Sequence, residues 1–180
     1  MKNHLLIFFE GHCRKKSVEI SDKLKFFLKD FDSIDYLSYK DSAYNWYLND
    51  IDDFIKKINN EIKGYPKITF VGRSAGGYIA ILIGSLLNID NVIAFSPQTF
   101  VSHLPRRVQK LSKHKNFINL KNIISKKTNF YIHTQKGNDL KHGFQHYENI
   151  KHFENVNFIG HKSFDLMCKD GSLKKIVEKL

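Results

Sequence analysis

The chain has 180 residues, 42% apolar and 13% aromatic, which suits one globular domain over residues 1–180 and leaves no stretch with the composition of a disordered segment. Its longest N-terminal apolar run, Leu5 to Phe9, is too short for a membrane span or a signal peptide, so a cytoplasmic protein is expected. The net charge of +11 favours an anionic partner or substrate, and the two cysteines, Cys13 and Cys168, have no metal-binding spacing and read as free thiols.

In chain order, Leu5 to Phe9 is a continuous apolar run, predicting a strand buried on both faces. The polar turn Glu10-Gly11-His12-Cys13-Arg14 follows, then a helix over Ser17 to Lys29. Ser33 to Tyr39 reads as a second strand. A loop over Asp41 to Trp46 leads to a helix from Tyr47 to Ile62 with Ile51, Phe54, Ile55 and Ile58 inward, stopped by Gly64-Tyr65-Pro66. Lys67 to Val71 is a third strand, and a helix of small and apolar residues runs from Ala75 to about Leu87. Asn91 to Phe95 is the fourth strand, closed by Ser96-Pro97-Gln98. Two short helices are expected around Val108–Leu111 and Leu120–Ile124, and a fifth strand over Asn129–His133. A short helix over Gly143–Asn149, a sixth strand over Val156–Gly160 and a closing helix over Gly171–Leu180 complete the chain. Strands alternating with helices predict right-handed crossovers and a doubly wound, mostly parallel six-stranded α/β sheet.

The third strand, the pattern Gly72-Arg73-Ser74-Ala75-Gly76 and the following helix form a strand–turn–helix that places a serine on a strained turn, the nucleophile elbow. Gly72 and Gly76 keep Cβ atoms out of that turn. The helix beginning at Ala75 aims free N–H groups and a positive dipole end at an oxyanion. A serine nucleophile needs a base and a carboxylate that orients it, in the chain order Ser, acid, His. Ligands of doubly wound sheets bind at the carboxyl ends of the strands. Among the later histidines only His133 and His161 follow that placement, and His133 precedes the best acid, so His161 is the candidate base. Asp90 lies before its strand, and Glu148 and Glu154 lie in or after a helix. Asp139 is therefore the candidate acid, with Asp165 the alternative outside the expected order. The oxyanion hole should combine the N–H of Ala75 with that of His12 from the loop after the first strand. Gly11, Cys13, Arg73, Ser96 and Gln98 are candidate substrate-binding residues at the same edge. Cys13 as a nucleophile lacks an activating context. His142 and His146 stand four apart beside Asp139 but lack a third ligand of clear spacing, so neither metal nor cofactor is expected.

Charge is unevenly spread. Eight of the 29 Lys/Arg residues lie in Val101 to Thr128, which holds no Asp or Glu, leaving 21 against 18 acidic residues elsewhere. Residues 101–128 read as a short basic helical insertion acting as a lid, with Arg106 and Arg107 as candidate substrate-binding residues; the other reading is a solvated face.

The pieces Val71-Gly72-Arg73-Ser74-Ala75-Gly76-Gly77-Tyr78, Gly84-Ser85-Leu86-Leu87, Phe95-Ser96-Pro97-Gln98, Asp139-Leu140-Lys141-His142, His161 and Lys169-Asp170-Gly171-Ser172-Leu173 together resemble the small, cap-poor bacterial α/β-hydrolases, including uncharacterised members encoded beside surface-polysaccharide genes. The resemblance puts Ser74, Asp139 and His161 on the family's triad positions. Many relatives have His-Gly where this chain has Glu10-Gly11, which alters the oxyanion loop but keeps a backbone donor. The activity implied is that of a serine esterase or deacylase working through an acyl-enzyme on Ser74, on an acylated glycan or another anionic ester. The alternatives are an acyltransferase using the same triad, or a non-catalytic glycan-binding protein on a hydrolase scaffold. Nucleic acid is an unlikely partner, because the basic segment offers only Phe117 for stacking.

Overall fold

The computed structural model describes residues 3–11, 28–29, 31–99, 113–120, 123–135, 150–156 and 163–179. In order these form β1 (His4–Phe9), β2 (Ile34–Tyr39), α1 (Ile51–Glu61), β3 (Lys67–Arg73), α2 (Ala75–Leu87), β4 (Asn91–Phe95), β5 (Asn129–Gln135), β6 (Ile150–Val156), α3 (Ser163–Lys169) and α4 (Ser172–Lys179). The strands make one six-stranded sheet, β2-β1-β3-β4-β5-β6, parallel throughout. The predicted doubly wound sheet is therefore present.

Alternation along the strands divides the core in two. Leu5, Ile7, Phe9, Phe70, Val92, Ala94 and Ile132 face α1 and α2, while Leu6, Phe8, Val71, Ile93 and Phe95 face α3 and α4. Central strands covered on both faces need unbroken apolar runs, and β1 and β4 are buried at every position. The helix α2 is buried from Ala75 to Ser85, as its apolar circumference requires.

Several boundaries differ from expectation for local reasons. The predicted start of α1 at Tyr47 gives way to Ile51, because Tyr44, Trp46, Tyr47 and Asp50 all have φ between 49° and 64°, incompatible with a right-handed helix. The sixth strand is described over Ile150–Val156, which starts earlier than the expected Val156–Gly160; residues 157–160 lie outside the described residues. Among the described residues it pairs only with β5, and an edge strand needs no continuous apolar run to mark its start. The helix α3 was not anticipated. The expected helices over 17–27, 108–111 and 143–149 lie outside the described residues.

The chain between β4 and β5 packs along α2. The Tyr78 hydroxyl donates to the Ile118 carbonyl (2.8 Å) and accepts from the Ile118 N–H (3.2 Å), and its ring stacks on Phe117. Further on, Leu120 enters the core, Ser125 Oγ donates to Asn88 Oδ1 and Thr128 Oγ1 donates to the Gly84 carbonyl. Residues 113–128 thus travel from the start of α2 to its end, and none of those described lies in a described α-helix. The half of the basic segment that holds Arg106 and Arg107, residues 101–112, lies outside the described residues.

Candidate active site

The turn after β3 carries the strain expected of it. Ser74 has φ 56° and ψ −119°, a combination natural to glycine and costly for any side chain. The surroundings enforce it. The Ser74 N–H donates to the Phe95 carbonyl (2.9 Å), and the Ser74 carbonyl accepts from both Tyr78 N–H and Gln98 N–H (3.2 Å each). A Cβ on Gly72 would stand 2.2 Å from the Gly76 carbonyl oxygen, and one on Gly76 would stand 2.0 Å from that of Phe9. Neither position can hold a side chain, so both glycines of the pattern are steric requirements.

Ser74 lies at the carboxyl edge, 6% exposed, at the N-terminus of α2. The first N–H groups of a helix have no partner within it, so Ala75 begins the helix with its donor at the serine's side. Gly11 arrives from β1: a Cβ there would lie 2.7 Å from the Arg73 carbonyl oxygen and 3.1 Å from Ser74 Cβ. Gly11 is thus in contact with the elbow.

The strand ends beside the serine are tied together. Glu10 N–H donates to the Tyr39 carbonyl, and the Tyr47 hydroxyl lies 2.8 Å from the carbonyl oxygens of both Glu10 and Tyr39. Burial pushes the Tyr47 phenol far above its ordinary value, so it stays protonated as a donor. On the other side Ser96, at φ 43°, donates its N–H to the His133 carbonyl (2.7 Å). Ser96 is buried, Gln98 and Arg73 are partly exposed, and all three border the turn. His133 is buried against Phe95, ring centroids 4.9 Å apart, so it packs in the core beneath the edge.

Asp139, His161, His12, Cys13, Arg106, Arg107, His142 and His146 lie outside the described residues. His161 stands five residues after Val156, the last described residue of β6. Asp165 lies within α3. Asp90 accepts from the Ile68 N–H at the start of β3, the opposite edge, in keeping with its exclusion as the acid, while Glu154 lies within β6. Among the described residues no cluster of metal-binding side chains occurs, and no described helix is long and apolar enough to cross a membrane.

Sequence reasoning missed three residues here. Tyr47 and Tyr78 bridge backbone segments distant in sequence, which no local pattern reveals. Thr134, fully buried at the carboxyl end of β5, has no hydrogen-bond partner for its hydroxyl among the described residues.

No family model matches the chain, and no curated protein matches it. Solved structures do. The chain is similar to Est1E from Butyrivibrio proteoclasticus, with 13% identity and TM-score 0.60 over 98% of this chain and 89% of that one. It is similar to the esterase domain of a Rhodothermus marinus protein, with 13% identity and TM-score 0.64 over 94% and 83% of the two chains. It is also similar to a putative hydrolase of the alpha/beta superfamily from Xanthomonas campestris, with 12% identity and TM-score 0.57 over 98% and 99%. The chain has the α/β-hydrolase fold. Within that fold the strained Ser74 occupies the turn between a central strand and a buried helix, and Gly11 closes on it from the neighbouring strand.

Proposed function

We propose that the protein is a serine hydrolase that cleaves an ester through an acyl-enzyme on Ser74. The observation that carries this reading is the backbone of Ser74 itself: φ 56° and ψ −119° on a non-glycine residue, held between glycines that tolerate no Cβ. Strain of this kind persists where it serves a function, here the exposure of a hydroxyl at the tip of a turn. Two structural neighbours, the Rhodothermus marinus domain and Pf2001 of Pyrococcus furiosus, are described as esterases, which supports the same chemistry.

In this reading Ser74 Oγ attacks the ester carbonyl while His161 takes its proton, and Asp139 holds the imidazole in the required tautomer. His161 then returns the proton to the departing alcohol, and water releases the acyl group by the same steps in reverse. The N–H groups of Ala75 and His12 receive the oxyanion. Support for His161 comes from Phe164, whose ring contacts Phe8 and Phe95 at the ends of β1 and β4 (centroids 5.4 and 5.1 Å). Three residues of chain reach at most about 11 Å, so this anchorage supports a base at position 161 near the carboxyl ends of β1 and β4. The substrate is an acylated glycan or another anionic ester, drawn by the basic residues of 101–128.

Labelling by a fluorophosphonate tests the nucleophile. The native protein should be labelled, and Ser74→Ala should lose both labelling and esterase turnover, the latter by something approaching ~10⁶-fold. Asp139→Asn should keep labelling measurable but slow turnover by roughly 10⁴-fold. Retention of more than a few per cent of turnover in Ser74→Ala would overturn the mechanism, and a silent Asp139→Asn with a damaging Asp165→Asn would move the acid. Running the same assay with and without a sugar acceptor separates hydrolysis from acyl transfer.

A further inference from the structure

Beyond the serine, the carboxyl edge holds a cleft of about 390 Å³ over the end of β2, formed by the loop Lys40–Asp50 and the first turns of α1. Its size lies near the lower end of small-molecule pockets, roughly 300–1,000 Å³. Two half-buried rings, Tyr39 and Phe54, line it, packed edge-to-face at 5.3 Å, with Tyr47 stacked on Phe54 beneath (5.4 Å, 15°). Around these rings stand Ser42, Asn49 and Asp50, all exposed.

The frame is built in advance. Asp41 is buried and accepts from the Trp46 N–H at 2.7 Å. Asn45, its amide oriented by hydrogen-bond logic, donates to Asp41 Oδ1 (3.3 Å) and accepts from the Asn49 N–H (3.1 Å). Asp41 and Asn45 are therefore committed to the loop, and Asn49 Nδ2 also donates to Asn45 (3.0 Å), while Asn49 and Asp50 stand exposed at the rim. Lys57 lies over the Tyr39 ring at 4.8 Å, and Asp53 pairs with Lys56 at 2.9 Å. With two lysines against three aspartates, the cleft has no field to select a dianion, and its polar rim does not suit an acyl chain. Aromatic surface for C–H groups beside a carboxylate and an amide for hydroxyls suits a neutral, hydroxyl-rich ring, that is, a sugar.

The cleft is also continuous with the serine. Tyr47 and Tyr39, which line it, bond to Glu10, and the next residue, Gly11, contacts the elbow. Strands β2, β1 and β3 are adjacent, so the cleft lies two strand spacings, about 10 Å, from Ser74. We infer that the cleft over β2 binds the sugar part of the ester attacked at Ser74, an assignment that rests on the hydrolase reading for its acyl half and on the cleft's own chemistry for its sugar half.

Binding can be measured without turnover. Ser74→Ala protein is mixed with a panel of O-acetyl methyl hexopyranosides (gluco, galacto, manno and N-acetylgluco) and followed by saturation-transfer NMR. At least one should bind, and adding Asn49→Ala or Asp50→Gly should weaken that binding roughly tenfold, the 1.4 kcal/mol of one lost polar contact. Glycine fits the φ of 49° at position 50, and the Asp50 side chain makes no capping bond, so that variant keeps its fold. Lys63→Ala, away from the cleft, should change nothing. If Ser74 is labelled by fluorophosphonate but no sugar ester binds, or if binding survives both substitutions, the sugar site is overturned and the hydrolase reading stands. Binding that both substitutions weaken, in a protein that fluorophosphonate does not label, supports the site and removes the hydrolase reading.

Discussion

Ser74 has two separable properties, a nucleophilic hydroxyl and a strained backbone, and substitutions can part them. A non-glycine residue at φ 56° and ψ −119° costs on the order of 1–3 kcal/mol. Glycine relieves that strain and returns about 0.5–1 kcal/mol of it as chain entropy in the unfolded state. Ser74→Gly is therefore expected to be inactive yet more stable than Ser74→Ala by about 1 kcal/mol, roughly 2–4 °C in Tm for a chain of this size. Calorimetry of the two variants decides it; a lower Tm for Ser74→Gly would mean that the turn is not where the energy is stored. The same reasoning explains why Gly72 and Gly76 are irreplaceable while Gly64, at φ 85° with nothing within 4 Å of a Cβ, answers only to its dihedral.

At the scale of elements, α2 organises the site from both ends. Its first residue follows the serine, and its fourth, Tyr78, clamps the crossover from β4 to β5 through the backbone of Ile118. Burial pushes the Tyr78 phenol up to about 12, so the hydroxyl remains protonated at neutral pH and both donates and accepts. Tyr78→Phe removes both bonds and leaves the Ile118 groups short of a partner, at a cost of about 2 kcal/mol. The expected result is a Tm lowered by roughly 4–8 °C and faster tryptic cleavage at the exposed Lys113 and Lys115, which flank this clamp. Unchanged cleavage in a destabilised variant would show that the clamp holds α2 and not the crossover.

Across the whole molecule, the described lysines of the basic segment divide between the two ends of α2. Lys113 and Lys115 precede Ile118, which bonds to Tyr78 at the serine's end of α2, whereas Lys126 and Lys127 stand between Ser125, bonded to Asn88, and Thr128, bonded to Gly84, at its far end. Attraction between exposed charges is screened beyond about 8 Å at physiological salt. Charge reversal at Lys113 and Lys115 should thus raise KM for an anionic ester, with the salt dependence reduced, while reversal at Lys126 and Lys127 should do neither. Equal effects from the two pairs would make the charge a general property of the surface. The edge away from the serine has its own sensitivity to pH. His4 is buried and bonded to Thr69 Oγ1 at 2.9 Å. Burial and the nearby Lys67 hold its pKa below 6.5, Asp90 opposing them only in part. The unfolded chain then binds a proton that the folded one resists, so stability should fall as pH drops below 6.5 and level off below the folded pKa. His4→Gln should flatten that slope in denaturant titrations, and an unaltered slope would place the titration elsewhere.

The elbow, the doubly wound order and five of the six strands were legible because each rests on local information. Apolar runs such as Leu5–Phe9 and Asn91–Phe95 register burial on both faces, and Gly72-Arg73-Ser74-Ala75-Gly76 registers a turn with no room for Cβ atoms. The sequence by itself therefore determined that a serine stands on a strained turn at the carboxyl edge of a parallel sheet. What it could not contain were relations between distant residues. The edge position of β6 relaxed the pattern that marks a buried strand, and the positive φ of Tyr44, Trp46, Tyr47 and Asp50 belongs to a loop held by bonds such as Trp46 to Asp41 and Tyr47 to Glu10. Only the tertiary structure decided that Gly11 touches Ser74, that Tyr78 grips Ile118, and that the loop after β2 opens a cleft, because each depends on strand order bringing chain ends together that lie tens of residues apart.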